Sequence, residues 1–165
     1  MRSSRLALAL LALPTLAVAT TLVPHTLQQR AENADRVALV QVLSQHVEHT
    51  PGAVVPIKTY TRVAVGSDFK GTGPAEFTIV QLGGTVGAES LTMPGDARFA
   101  LGETAVVFVR CRLAVDRCHL VAAGAGKLDV AGEDVFVQDL FNGKWSKVSL
   151  SSFGALLRAP QGGAR

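Results

Sequence analysis

Few residues in this chain have side chains and spacings suited to chemistry. They are Cys111 and Cys118, the His46-Val47-Glu48-His49 cluster, the glycine-rich run from Gln81 to Ser90, and two lone aromatics, Tyr60 and Trp145. The cysteines bracket a short connection between two strand-like runs, and a hairpin there would bring their Cα atoms within bridging range. In an exported chain an even pair normally forms a structural disulfide. The alternatives are a redox pair or half a metal site, but the spacing is not Cys-x-x-Cys and there is no second pair. Closing so short a loop would stabilise by about 2–3 kcal/mol at most.

The histidine cluster resembles a set of metal ligands only at first sight. Helical zinc motifs place two histidines four apart so that both face one way. His46 and His49 are three apart at the end of a strand-like run, where they point to opposite faces, and His25 and His119 are the only other histidines. They read as exposed polar residues at a strand end, and no metal ligands are assigned. The glycine run, "QLGGTVGAES", raises the question of a phosphate cradle. Such loops follow a strand and open a helix whose amides face the phosphate. Here Gly83, Gly84 and Gly87 follow a strand, but Pro94-Gly95 breaks what comes next and the lysine of a P-loop is missing. Gly83 and Gly84 therefore read as suppliers of positive φ in a turn or bulge, and no cofactor is expected.

For nucleophilic catalysis there is no Gly-x-Ser-x-Gly elbow. Asp68, Asp116 and Asp134 lie in or beside loop-like stretches and read as turn and solubility residues. Trp145, just after Asn142-Gly143, could anchor a ligand, although cross-strand packing is the commoner use of such a residue. The reading is a non-enzyme with no catalytic residues.

The elements that position these residues start after an address. Arg2 and Arg5 precede the apolar run Leu6–Ala19, which closes on Ala17-Val18-Ala19, small residues of the kind a signal peptidase reads. The run is too short to span a membrane and contains Pro14. Residues 1–19 are thus expected to be a signal peptide cleaved between Ala19 and Thr20. The product is secreted or periplasmic, with no membrane insertion after signal removal. The chain carries 16 Lys and Arg against 13 Asp and Glu; without Arg2 and Arg5 this becomes 14 against 13, or +1. The basic residues are scattered, without the stripe and interleaved aromatics that nucleic-acid binding uses. Nucleic acid and anionic membrane are set aside as partners.

Residues 20–158 read as a single domain and 159–165 as a flexible tail. Thr26 and Gln29 form a capping box that opens a short helix. "RVALVQVLSQHVE" reads as a long strand, "IKTYTRVAV" and "AEFTIVQL" as two more, with "GSDFKGTGP" turning the chain between them. "TAVVFVRC" is a continuous apolar run of the kind found in a strand covered on both faces. Asn142-Gly143 sits between alternating arms and predicts a type I′ hairpin turn, in which both residues take positive φ. "SLSSFGALLRA" closes as a short helix with Leu150, Phe153, Leu156 and Leu157 on one face. The sum is a mainly β protein, a small closed barrel with short helices near both ends.

The series "AENADRVALVQV", "TYTRVAVGSDFKG", "IVQLGGTVG", "MPGDARFALGETAVVFV" and "GAGKLDV" resembles a recurrent exported bacterial domain of unknown function, over about Leu27 to Val130. More distantly it is similar to the oligonucleotide/oligosaccharide-binding (OB) type of barrel found in netrin-like modules and tissue inhibitors of metalloproteinases. The resemblance implies an OB-like, netrin-like barrel. The leading reading is an exported, non-catalytic module that binds an unidentified partner, a protein or cell-envelope component, through loops or one sheet face. The runner-up is a protease-inhibitor-like regulator of an exported metalloprotease. Those inhibitors act through an N-terminal cysteine, whereas the expected mature chain begins Thr20-Thr21.

Overall fold

The structure is a computed structural model that describes residues 25–112 and 116–159. The expected signal segment (residues 1–19), its expected cleavage point between Ala19 and Thr20, and residues 160–165 of the expected tail lie outside the described residues. In chain order the elements are α1 (Leu27–Asn33), β1 (Arg36–His49), β2 (Ile57–Lys70), β3 (Glu76–Leu82), β4 (Gly84–Val86), β5 (Glu89–Leu91), β6 (Thr104–Arg112), β7 (Arg117–Leu120), a 3-10 turn (Ala123–Gly126), β8 (Lys127–Ala131), β9 (Asp134–Gln138), β10 (Trp145–Ser149) and α2 (Leu150–Arg158). The protein is mainly β. Strands β1, β2, β3, β7 and β6 close into a five-stranded barrel when β6 returns to pair with β1. Every junction is antiparallel except β3–β7, which is parallel. Three register shifts in β1, the last between Val42 and Ser44, let it follow β2 along its length and still bend toward β6.

Alternation along the strands produces two cores. Ala38, Val40 and Val42 of β1 and Val107 and Val109 of β6 point into the barrel, where Val63, Phe77, Ile79 and Cys118 meet them. Phe99 enters from the connection before β6 and completes that packing. The barrel interior is therefore filled by side chains rather than open to a ligand. Val37, Val106 and Phe108 point the other way, into a second cluster under α1, α2 and strands β8 and β9. The continuous apolar run of β6 thus has its expected cause, burial on both faces. On its far edge β6 is shared: β7 pairs with Val109–Arg112 and β8 with Ala105–Val107. The 3-10 turn, entered through Ala122 and Ala123 at positive φ, carries the chain from one partner to the other.

Side-chain chemistry sets the helix ends. Thr26 Oγ1 accepts from the Gln29 amide at 3.1 Å, and Gln29 Oε1 accepts from the Thr26 amide at 2.9 Å. The last carbonyls of α1 are met by cations: Lys70 Nζ donates to Ala31 O at 2.6 Å, and Arg110 Nε donates to Asn33 O at 2.6 Å. A charge there also complements the helix dipole.

Two local expectations need correcting. The stretch from Gly66 does not turn at once, because β2 continues to Lys70. Asp68 pairs in register with Ala38 and its carboxylate binds the Arg36 guanidinium twice, Nε to Oδ1 at 2.6 Å and Nη2 to Oδ2 at 3.0 Å. Asp68 is thus a strand residue in a half-buried ion pair rather than a turn residue. Asn142 and Gly143 do lie in the β9–β10 connection, but it is a six-residue loop rather than a type I′ turn. Asp139 organises it, accepting from the Phe141 amide at 2.9 Å and from Asn142 Nδ2 at 2.6 Å. Only Gly143 takes positive φ, at 72°.

Candidate functional site

The barrel's outside is covered unevenly. The helices and β8–β9 lie over β1, β6 and the C-terminal end of β2, where Phe69 packs against Phe153, whereas the outward residues of β2 from Tyr60 to Arg62 and those of β3 and β7 are left without a helix over them. Outward positions on this face alternate with those of the barrel core: Tyr60 and Arg62 on β2, Glu76, Thr78 and Val80 on β3, Arg117 and His119 on β7. The second half of β1 adds His46 beside Tyr60, its register partner. The His46 and Tyr60 rings stack at 5.0 Å with only 7° between their planes. The Arg117 guanidinium lies 5.4 Å from the centre of the same Tyr60 ring. Tyr60 is thereby buried in the middle of a solvent-facing sheet, while the His46 side chain stays 61% exposed. Burial raises the Tyr60 hydroxyl's pKa and the Glu48 carboxylate adds to the rise, against an opposing pull from Arg117. His119 Nδ1 lies 3.1 Å from Val80 O, and Arg62 pairs with Glu76 at 2.5 Å. The result is a polar, ring-stacked surface with exposed cations and imidazoles, suited to recognition by stacking and charge-assisted hydrogen bonds.

The structure disperses the four histidines. His46 lies on this face, His49 reaches Glu89 of β5 at 3.5 Å, His119 is on β7, and His25 precedes α1 near Trp145. The glycines hold a hairpin against the barrel. Gly83 takes φ +95° and Gly84 φ +138°. The Gly83 amide donates to Ile57 O at 2.8 Å, and its carbonyl accepts from Thr59 Oγ1 at 2.7 Å. A Cβ on Gly83 would run into Leu91 O, and one on Gly84 would stand 2.6 Å from a Val47 methyl. They open a two-strand hairpin, β4 with β5, and no helix follows. We therefore expect Gly84→Ala to cost about 2 kcal/mol through backbone strain and to lower the melting temperature. Calorimetry with ATP, GTP and NAD should show no saturable binding by the wild-type protein. A normally folded variant that loses nucleotide binding present in the wild type would establish a phosphate loop instead.

Cys111 and Cys118 face each other across the β6–β7 pair, bridged, with Cα atoms 4.0 Å apart. The bridge lies beside the parallel junction, where Ile79 of β3 is in register with Cys118. It ties the two strands on which barrel closure depends.

Two arginines of structural weight are not evident in the sequence. Arg36 is buried, held by Asp68 and by Pro74 O at 2.9 Å, and lies over the Phe77 ring. Arg30 is 1% exposed and meets no carboxylate among the described residues. Burial pulls its pKa below the ordinary guanidinium value, yet an arginine stays protonated. Its spacing is informative in retrospect, because Leu27, Ala31 and Ala34 form the buried stripe of α1 and Arg30 falls on it.

No protein-family model matches the chain, and no curated protein does either. No helix among the described residues is long and apolar enough to cross a membrane.

Proposed function

We propose that the protein is an exported, non-catalytic β-barrel module that binds a protein or another cell-envelope component through the outer face of β2, β3 and β7. The observation carrying this reading is the His46–Tyr60–Arg117 stack on a sheet face left bare while the opposite side of the barrel is covered. We read the barrel as OB-like, and such barrels bind through the face of their second and third strands. The resemblance to a recurrent exported bacterial domain and to netrin-like modules points the same way. The bridged cysteine pair is compatible with a compartment outside the cytoplasm. The competing role, regulation of an exported metalloprotease, needs a disulfide-tethered N-terminus. Cys111 and Cys118 are spent on each other within one hairpin.

The test compares the processed protein with a variant carrying His46→Ala and Arg117→Glu, both exposed positions, whose fold is checked by circular dichroism because the exchange uncovers the Tyr60 ring. Cross-linking in envelope extract should capture a component that the folded variant loses. A component retained in full by the variant would move the interface elsewhere. Stoichiometric inhibition of an exported metalloprotease would favour the competing role.

A further inference from the structure

The buried Arg30 points to a ligand site on the opposite side of the molecule, independent of the sheet face. It lines a cavity of about 610 Å³ between His25 and α1, the 3-10 turn, β8–β9 and the connection before β6. That volume lies within the range of small-molecule sites. Arg30 is the least exposed of the lining residues. Its Nη1 donates to Ala125 O at 2.6 Å and its Nη2 reaches Gln138 O only at 3.5 Å. Both of those residues also line the cavity, and the Nε–H finds no acceptor among the described residues. The Phe108 ring, 5.6 Å away, is the other neighbour of the charge. A buried guanidinium with two carbonyls, a ring and an idle donor is poorly compensated, because burying a charge without a counterion is costly.

The other lining groups narrow what would complete it. Leu128, Phe136, Leu140 and Trp145 supply an apolar wall. Trp145 is 61% exposed, so its ring has a face still to be covered. Lys127 is already engaged, with Glu103 and with Asp129 at 2.8 Å. Burial alone would lower its pKa, but the bonds to those two carboxylates outweigh burial and raise it. Asp96 accepts from the amide of Ala97 at 2.9 Å. Arg98 stands beside them on the same wall. Among the described residues the charged lining groups are Arg30, Arg98, Lys127, Asp96 and Asp129, and Glu103 stands behind Lys127. Lys127 is thus already neutralised, and the buried charge left to satisfy is the single guanidinium of Arg30, which suits a monoanion better than a phosphate dianion. The planar guanidinium edge also matches a carboxylate in geometry.

We propose that this cavity binds a small organic monocarboxylate bearing an apolar or aromatic body, with the carboxylate on Arg30 and the body against Phe136 and Trp145. The probes are acetate, benzoate and phenylpropionate, each beside its neutral amide. The readouts are calorimetry and the fluorescence of Trp145, the single tryptophan of the chain. The expected result is saturable binding of phenylpropionate with a change in Trp145 emission. Its amide should bind at least about tenfold more weakly, and acetate should bind more weakly than either larger acid. Arg30→Met should erase the preference for acid over amide, and Trp145→Ala should weaken the aromatic acids while sparing acetate. Equal binding of acid and amide, no binding by any acid, or an undiminished preference in folded Arg30→Met would overturn the proposal. The wild-type comparison decides the matter even if Arg30→Met does not fold.

Discussion

Replacing Phe153 by alanine is expected to lower stability by about 3–5 kcal/mol, the range for deleting a buried aromatic side chain. Phe153 is fully buried and meets two other rings edge-on, Phe69 at 5.0 Å and Phe108 at 6.5 Å. It is the fully buried residue of α2 in the second core, where Leu150, Leu156 and Leu157 pack beside it, whereas its neighbours Ser151 and Ser152 face solvent. The N-cap, Ser149 accepting from the Ser152 amide at 3.3 Å, holds the first turn but anchors nothing in the core. The cavity left by alanine would open beneath a helix of only nine residues, so α2 should detach before the barrel loses its shape. Thermal melts of Phe153→Ala and Phe153→Leu check this. The leucine variant should lose about 1 kcal/mol because it keeps most of the volume. Equal losses for the two would mean that ring volume is not what holds the helix.

The second large effect is expected at Asp68. Asp68→Ala removes both carboxylate oxygens from Arg36 and leaves a guanidinium in a buried site with Pro74 O as its remaining acceptor. Breaking a buried pair from one side costs about 3–5 kcal/mol. The lower end applies here, because the Asp68 side chain is a quarter exposed. For a chain of this size about 3 kcal/mol corresponds to roughly 6–12 °C in melting temperature. The double variant Arg36→Met with Asp68→Ala should recover much of that loss, since it removes the stranded charge as well as its partner. A single variant that melts with the wild type would show that the pair behaves as an ordinary surface ion pair.

These residues also show which parts of the molecule could be read from its amino acids. Local signals were legible. Thr26 and Gln29 announced the start of α1, and the valines of β6 announced a strand covered twice. Cys111 and Cys118 announced a bridge because a hairpin connection fixes their distance. What depends on distant partners was hidden. Nothing in the periodicity of β3 says that it runs parallel to β7, or that β6 returns to β1, because those pairings are settled by the barrel as a whole. Asn142-Gly143 carried a strong turn signal, but Asp139 three residues upstream captured the Asn142 side chain and widened the loop. The two buried arginines were invisible for another reason. An arginine is normally a surface residue, and only the partner that buries it says otherwise: Asp68 for Arg36, two carbonyls and a ring for Arg30. The sheet face was no easier to find, since His46, Tyr60 and Arg117 come from three separated segments and meet only in register.

Strand β6 supplies alternate residues to both cores, Val107 and Val109 to one and Val106 and Phe108 to the other. Neither core can loosen without moving the backbone that holds its neighbour's side chains. The barrel and its helical cover should therefore melt as one cooperative unit, and the β6 amides should exchange with solvent only when the whole domain opens. The same strand joins the two proposed recognition surfaces. Phe108 lies under the Arg30 guanidinium, and β6 pairs with β7, which carries Arg117. Occupancy on one side of the molecule and occupancy on the other are thus free energies written on a shared element, and any coupling between them must be reciprocal.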